Sequence, residues 1–296
     1  VYKRQGVFGP LCMNDDLETI YAANYLCNDY GLDTISCGAV VAYLMYLSER
    51  GVLEERVEWG DSEKILELIR RIAKRESAFD YLIGEGIAAL EQKYGVEAAH
   101  YKGLDVPMHD PRAFVGMALV YATSPRGACH MAGDCYQVDL GMAIPEFGIE
   151  PSDRFEEEEK AKVVARLQNY RALFDSMVLC KFASISVGSM VNLLSSALET
   201  PLTAEDLLRM GERIIDLKRV LNVEFGMDVG EEWRLKKPIA KEYPDKDSKV
   251  PNLSKMLEEY YAFRRWDRET GLPSREKLEE EGLGFVLGAS GAGGGI

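Results

Sequence analysis

Apolar residues recur at three- and four-residue spacing through nearly the whole chain, and Gly or Pro separates one such run from the next. That is the period of helices packed on one face. Asn14 or Asp15 is placed to cap a helix that runs through Leu17, Ile20, Ala23 and Tyr25 to Leu26 and is ended by Gly31. Ser36 opens a second helix through Val40, Val41, Leu44, Met45 and Leu47, closed by Gly51, and Asp61 caps a third that buries Ile65, Leu68, Ile69 and Ile72. A fourth spans about 80–94, with Gly84 and Gly86 interrupting it. Helical spacing resumes at Pro111, a good first-turn residue, and continues to about Thr123. After a loop at 124–152, the acidic run 156–159 leads into a long helix that reaches about Leu179, and further helices fit 182–198, 204–222, 254–270 and 274–281.

Alternating strand runs bounded by turns are essentially absent, so the predicted class is all-α and multihelical. The stretch 226–251 is polar and punctuated by Pro, and reads as a long surface loop. The turn-rich stretch 101–112 marks a boundary between helical domains at 1–103 and 104–288. A Gly-rich tail, 289–296, lacks the Lys and preceding strand of a phosphate loop and is expected to be disordered.

A chain of 296 residues with 47% hydrophobic content can bury a substantial core. With 35 basic against 49 acidic residues the net charge is −14, which opposes binding to nucleic acid or anionic lipid. No apolar stretch approaches the ~20 residues of a membrane span and no signal-peptide pattern opens the chain, so a cytoplasmic protein is expected. Six cysteines, at 12, 27, 37, 129, 135 and 180, show no C-x-x-C, and most are expected to be reduced, buried thiols. Tyr260, Tyr261 and Trp266 read as core, and His100 as a surface residue.

Two hexamers share one pattern: Asn28-Asp29-Tyr30-Gly31-Leu32-Asp33 and Asp175-Ser176-Met177-Val178-Leu179-Cys180. With GPLCMNDDLETI at 9–20, KGLDVPMHDPR at 102–112, ATSPRGACH at 122–130 and YYAFRRWDRETGLPSREKL at 260–278, they make the chain resemble the tungsten-containing aldehyde:ferredoxin oxidoreductase family. In that family an N-terminal, largely β domain supports two pterin-dithiolene molecules, and two helical domains close over it. The chain is similar to those two helical domains.

The resemblance implies a tungsten (or molybdenum) bis-pterin cofactor. It assigns pterin contacts to Asn28, Leu32, Asp33, Asp175 and Leu179, the two leucines through their main chain. Carboxylates and backbone groups suit the N–H-rich edge of a pterin, although helix capping and turn formation are what such Asp residues ordinarily do. Arg126 suits cofactor phosphate or pterin oxygen because its planar fork is permanently charged. His130, and His109 with it, are the implied acid/base residues, since imidazole exchanges protons near neutral pH. Cys180 is the implied ligand of a 4Fe-4S cluster whose other three cysteines lie in an upstream segment of the family. This chain alone is therefore expected not to hold the cluster.

The chain departs from the family in three places. Asn28 stands where the family has Asp, and Val178, a residue type that resists positive φ, stands where it has Gly. The basic opening VYKRQ replaces an acidic lead-in, with Lys3 near a family active-site glutamate. These first five residues are expected not to be native and the chain to be a fragment of a longer product.

The implied activity of the parent protein is interconversion of small aldehydes and carboxylic acids, with ferredoxin as electron partner, in an anaerobic setting; a homodimer is compatible with it. Two other readings stand beside it. One is a same-family reductase subunit acting on an aromatic acid thioester. The other is a non-catalytic helical subunit that binds a separate pterin-domain partner.

Overall fold

The computed structural model describes residues 2–183, 185–241 and 247–291. Two units separate: one comprises the chain up to Met108 together with Lys236–Pro238, the other the remainder from His109 onwards. The first unit carries α1 (Tyr2–Phe8), α2 (Leu17–Tyr30), α3 (Thr34–Glu49), α4 (Ser62–Lys74), α5 (Ala78–Gly84) and α6 (Ile87–Tyr94). A two-residue hairpin follows, β1 (His100–Tyr101) antiparallel to β2 (Leu104–Asp105), with His100 opposite Asp105.

Local chemistry explains these boundaries. The Asp61 side chain accepts the Lys64 N–H at 3.0 Å, and α4 turns Ile65, Leu68, Ile69 and Ile72 inward from that cap. α3 is apolar on all sides between Cys37 and Leu47 and forms the axis of this unit. Gly86, at φ 93°, splits the helix expected at 80–94 into α5 and α6, and Ser77 and Asp80 close a reciprocal capping box at the start of α5. Against expectation, His100 is buried, 8% exposed, with Nε2 3.1 Å from a Glu91 carboxylate oxygen. The hairpin carries it inward, and two residues are too few for an alternating pattern to show.

The second unit carries α7 (Gly116–Thr123), α8 (Cys135–Asp139), α9 (Lys160–Ser176), α10 (Val187–Ala197), α11 (Ala204–Glu224) and α12 (Val229–Glu232). Beyond these, α13 (Lys237–Ala240) has its first two residues in the first unit and its last two in the second, and α14 (Leu253–Arg264) and α15 (Arg275–Glu280) follow in the second. α9 is the axis, packed by α7, α11 and α14. At Gly211 an added Cβ would lie 2.3 Å from the Asn169 carbonyl oxygen, so α11 meets α9 backbone to backbone. Polar groups inside this unit are matched in place. The fully buried Arg264 donates to Asn169 Oδ1 at 2.6 Å, the Ala165 carbonyl at 2.9 Å and Tyr260 Oη at 3.1 Å. Lys277 supplies the cation among Glu212, at 2.6 Å, and Asp216, at 2.7 Å.

Tyr260, Tyr261 and Trp266 are core residues, as expected. Two stretches read as loop contain short helices. The segment 226–251 holds α12 and α13, and 124–152 holds α8 with 3-10 turns at His130–Ala132 and Pro145–Phe147. One turn of helix is too short for 3.6-residue periodicity to register. A 3-10 stretch, Gly284–Gly291, closes the described chain, and most of the Gly-rich tail, 292–296, lies outside the described residues. No helix among the described residues is long and apolar enough to cross a membrane.

Candidate functional site

Both hexamers fold as the same helix-terminating motif. At the end of α2, the Gly31 N–H donates to the Asn28 carbonyl at 3.3 Å and the Leu32 N–H to the Cys27 carbonyl at 2.8 Å. At the end of α9, the Val178 N–H donates to Asp175 at 3.3 Å and the Leu179 N–H to Phe174 at 2.8 Å. These paired 5→2 and 6→1 bonds are a Schellman cap, which needs a left-handed residue after the helix. Gly31 meets that need at φ 69° without strain. Val178 meets it too, at φ 57°, contrary to what its β-branched side chain suggests. The side chain is 91% exposed and packs against little, so the strain is not offset by burial. Val178→Gly is therefore expected to raise stability by about 1 kcal/mol, relief of strain exceeding the chain entropy of the new glycine. A thermal midpoint that falls instead would contradict this account.

The motif determines what each hexamer residue has to offer. The N–H groups of Leu32 and Leu179 are consumed by the caps, so a main-chain contact there falls to the carbonyl. Asn28 is exposed and turns back on its own helix, donating to the Asn24 carbonyl at 2.9 Å. Asp33 is the N-cap of α3, with Oδ1 accepting the Ser36 N–H at 2.8 Å. In the same unit Asp105 is buried, one carboxylate oxygen has no hydrogen bond, and burial raises its pKa. Nothing in its sequence context marks it.

In the second unit several expected residues come together. Asp175 is exposed on the last turn of α9 and pairs with Lys181 at 3.0 Å. Arg126, Asp175 and Lys181, with Lys218 of α11 and Cys129, line a cavity of about 340 Å³. Three cations face one carboxylate there, which makes the cavity receptive to an anion. Cys180 is exposed, whereas the other five cysteines are buried.

His130 opens the 3-10 turn His130–Ala132 and is 6% exposed. The His109 ring lies 5.3 Å from it, and Tyr136 stacks on His109 at 4.0 Å and 12°. The His109 carbonyl accepts the buried Tyr121 hydroxyl at 2.9 Å. Beneath the turn, Arg171 Nε donates to Asp134 Oδ1 at 2.7 Å in a two-point pair, Nη2 bonding Oδ2. Burial works against the charge of Arg171, but Asp134 outweighs it and keeps the guanidinium pKa raised. Tyr136, Asp134 and Arg171 were not legible as a group, because their contacts join segments far apart in sequence.

The family model for aldehyde ferredoxin oxidoreductase, domains 2 and 3, matches residues 1–283. The tungsten-containing aldehyde ferredoxin oxidoreductase of Pyrococcus furiosus is 35% identical over 284 residues, covering 91% of this chain and 46% of that protein. From the same organism, an aliphatic sulfonate oxidoreductase, WOR-like subunit, is 27% identical over 316 residues, covering 94% of this chain and 44% of that protein. The chain thus spans about half the length of the curated relatives it matches. Among solved structures, the active-site complex BamBC of benzoyl coenzyme A reductase, with 1,5-dienoyl-CoA, superposes with a TM-score of 0.70 at 16% identity. It covers 99% of this chain and 50% of that one, a likeness of fold. The chain belongs to the aldehyde ferredoxin oxidoreductase family and corresponds to its domains 2 and 3.

Proposed function

We propose that this chain is the helical part of an oxidoreductase that interconverts aldehydes and carboxylic acids at a tungsten, or molybdenum, bis-pterin centre. Electrons would pass through a 4Fe-4S cluster to ferredoxin. The observation that carries this reading is the second hexamer: one helix cap presents an exposed Cys180 thiol and brings Asp175 to a cavity lined by Arg126, Lys181 and Lys218. The residues fit the implied groups. In the second unit the three cations suit pterin oxygen and phosphate, the Leu179 carbonyl suits a pterin N–H edge, and an exposed thiol suits cluster ligation; in the first unit, taken by itself, the Leu32 carbonyl and the Asp33 carboxylate suit a pterin N–H edge.

When bound, the metal centre supplies the two-electron redox chemistry. This chain's task is then to hold that centre and to manage protons. Oxidation of an aldehyde with water to a carboxylic acid releases two protons and two electrons. His130, buried beside His109, takes up and passes on the protons. The same two rings return them when the reaction runs in reverse.

The complete protein tests the reading. Metal analysis is expected to find tungsten or molybdenum with iron, together with aldehyde-dependent reduction of a redox dye. Active protein free of both tungsten and molybdenum would refute it.

A further inference from the structure

We propose that Asp216 and Glu281 share one proton, and that this proton latches α15 to α11, holding through acid and neutral pH and loosening in alkali. Asp216 of α11 is fully buried, and Glu281 is the C-cap of α15. With Glu212 they bring one carboxyl oxygen each to within 4.8 Å of the others. Asp216 and Glu281 are within hydrogen-bonding reach of each other. The Trp266 indole donates to Asp216 Oδ1 at 2.7 Å. Asp216 Oδ2 and Glu281 Oε2, by contrast, are buried from solvent and accept no hydrogen bond. Two such oxygens repel when both groups are charged, and one proton between them turns the repulsion into a bond.

The cations around the pair do not remove the need for that proton. Lys277 Nζ lies 2.6 Å from Glu212 and 2.7 Å from Asp216 Oδ2, the latter without the alignment of a hydrogen bond, and 3.8 Å from Glu281. At the end of α14, Arg264 uses its three guanidinium nitrogens on Tyr260, Asn169 and Ala165, and Arg265 pairs with Glu280 at 2.6 Å. On α11, Arg209 pairs with Asp206 at 2.6 Å, and Arg213 is exposed along the same cavity of about 610 Å³. Three carboxyl groups thus meet one contacting ammonium. Burial pushes the Glu281 carboxyl up to about 8, the Asp216 charge adds to the rise, and Lys277 opposes it. The apolar cluster beside these groups is small, with Val220, Leu278, Leu283 and Val286 as its buried members. The docking of α15 therefore depends on the polar cluster.

An unfolded glutamate loses its proton near pH ~4.3, whereas Glu281 keeps it to about 8. The latch is therefore fully present below the unfolded value and is lost as the pH rises through the folded one. Three measurements on this chain test the proposal. The carboxyl-carbon signal that Glu281→Gln removes is expected to titrate near pH ~8 in the unsubstituted chain. Amide exchange in α15, corrected for intrinsic base catalysis, is expected to quicken about tenfold or more between about pH 6 and about pH 9. Glu281→Gln, whose amide donates to Asp216 without ionising, is expected to lack that acceleration. Its thermal midpoint should match the parent's within about 2 °C at about pH 6 and exceed it by about 5 °C or more at about pH 9. A carboxyl midpoint below about pH 6, equal acceleration in variant and parent, or a variant that melts no higher in alkali overturns the proposal. Should Glu281→Gln not fold, exchange in the unsubstituted chain decides: acceleration of α15 with rising pH supports the latch, and its absence overturns it.

Discussion

Arg171→Leu is expected to destabilise the second unit by about 3–5 kcal/mol, because it strands a buried carboxylate. Asp134 is fully buried, and its two oxygens are served by Arg171 and, at 2.7 Å, by the Gln137 amide. Removing the guanidinium leaves the Gln137 amide to serve the buried carboxylate, and a neutral amide does not replace the lost Coulomb attraction. Packing is lost too, since the guanidinium lies 5.3 Å from the centroids of both Tyr170 and Phe174. The double substitution Arg171→Leu with Asp134→Leu is expected to be much milder, as replacing both members of a buried pair often is. Urea unfolding of both variants measures the difference. A single substitution costing under about 1 kcal/mol would show that the pair is not what ties the 130s turn to α9.

How much of this was legible in the sequence depends on where each residue's partners lie. α4 was legible because its signals are local: Asp61 caps it and four apolar residues at helical spacing face inward. α9 was legible as a helix, but its interior was not. Gln168, Asn169 and Arg171 are polar positions turned inward, and Arg264, which bonds both Gln168 and Asn169, lies 95 residues beyond Asn169. Spacing reports faces, not partners.

The two hexamers were legible as a shared pattern whose physical meaning differed from its first appearance. The step they share, Gly31-Leu32 in one and Val178-Leu179 in the other, is a helix cap, and the structure retains it even where Val178 must take positive φ. What distinguishes the two copies is the residue after the cap: Asp33 is used at once to start α3, whereas Cys180 is left exposed. Tyr136 gave no signal, because a stack between residues 109 and 136 leaves no trace in either local context.

His130→Asn in the complete enzyme is expected to lower kcat for aldehyde oxidation by about 10²–10⁴-fold, the range for loss of a positioned acid/base. Asn keeps a polar side chain of similar reach in a site that is 6% exposed, so folding and metal content are expected to persist. What it lacks is a nitrogen that can take up a proton and release it near neutral pH. His109→Asn is expected to cost less, because His109 is the more exposed of the pair and water can take over part of its role. The ordering matters more than either magnitude: a larger loss at His109 would make it the primary base and His130 its support. The variants should also lose the limb of the pH–rate profile that the parent enzyme owes to imidazole, while dye reduction by an artificial electron donor stays unchanged. A His130→Asn enzyme within about threefold of the parent, its profile intact, would remove His130 from proton handling.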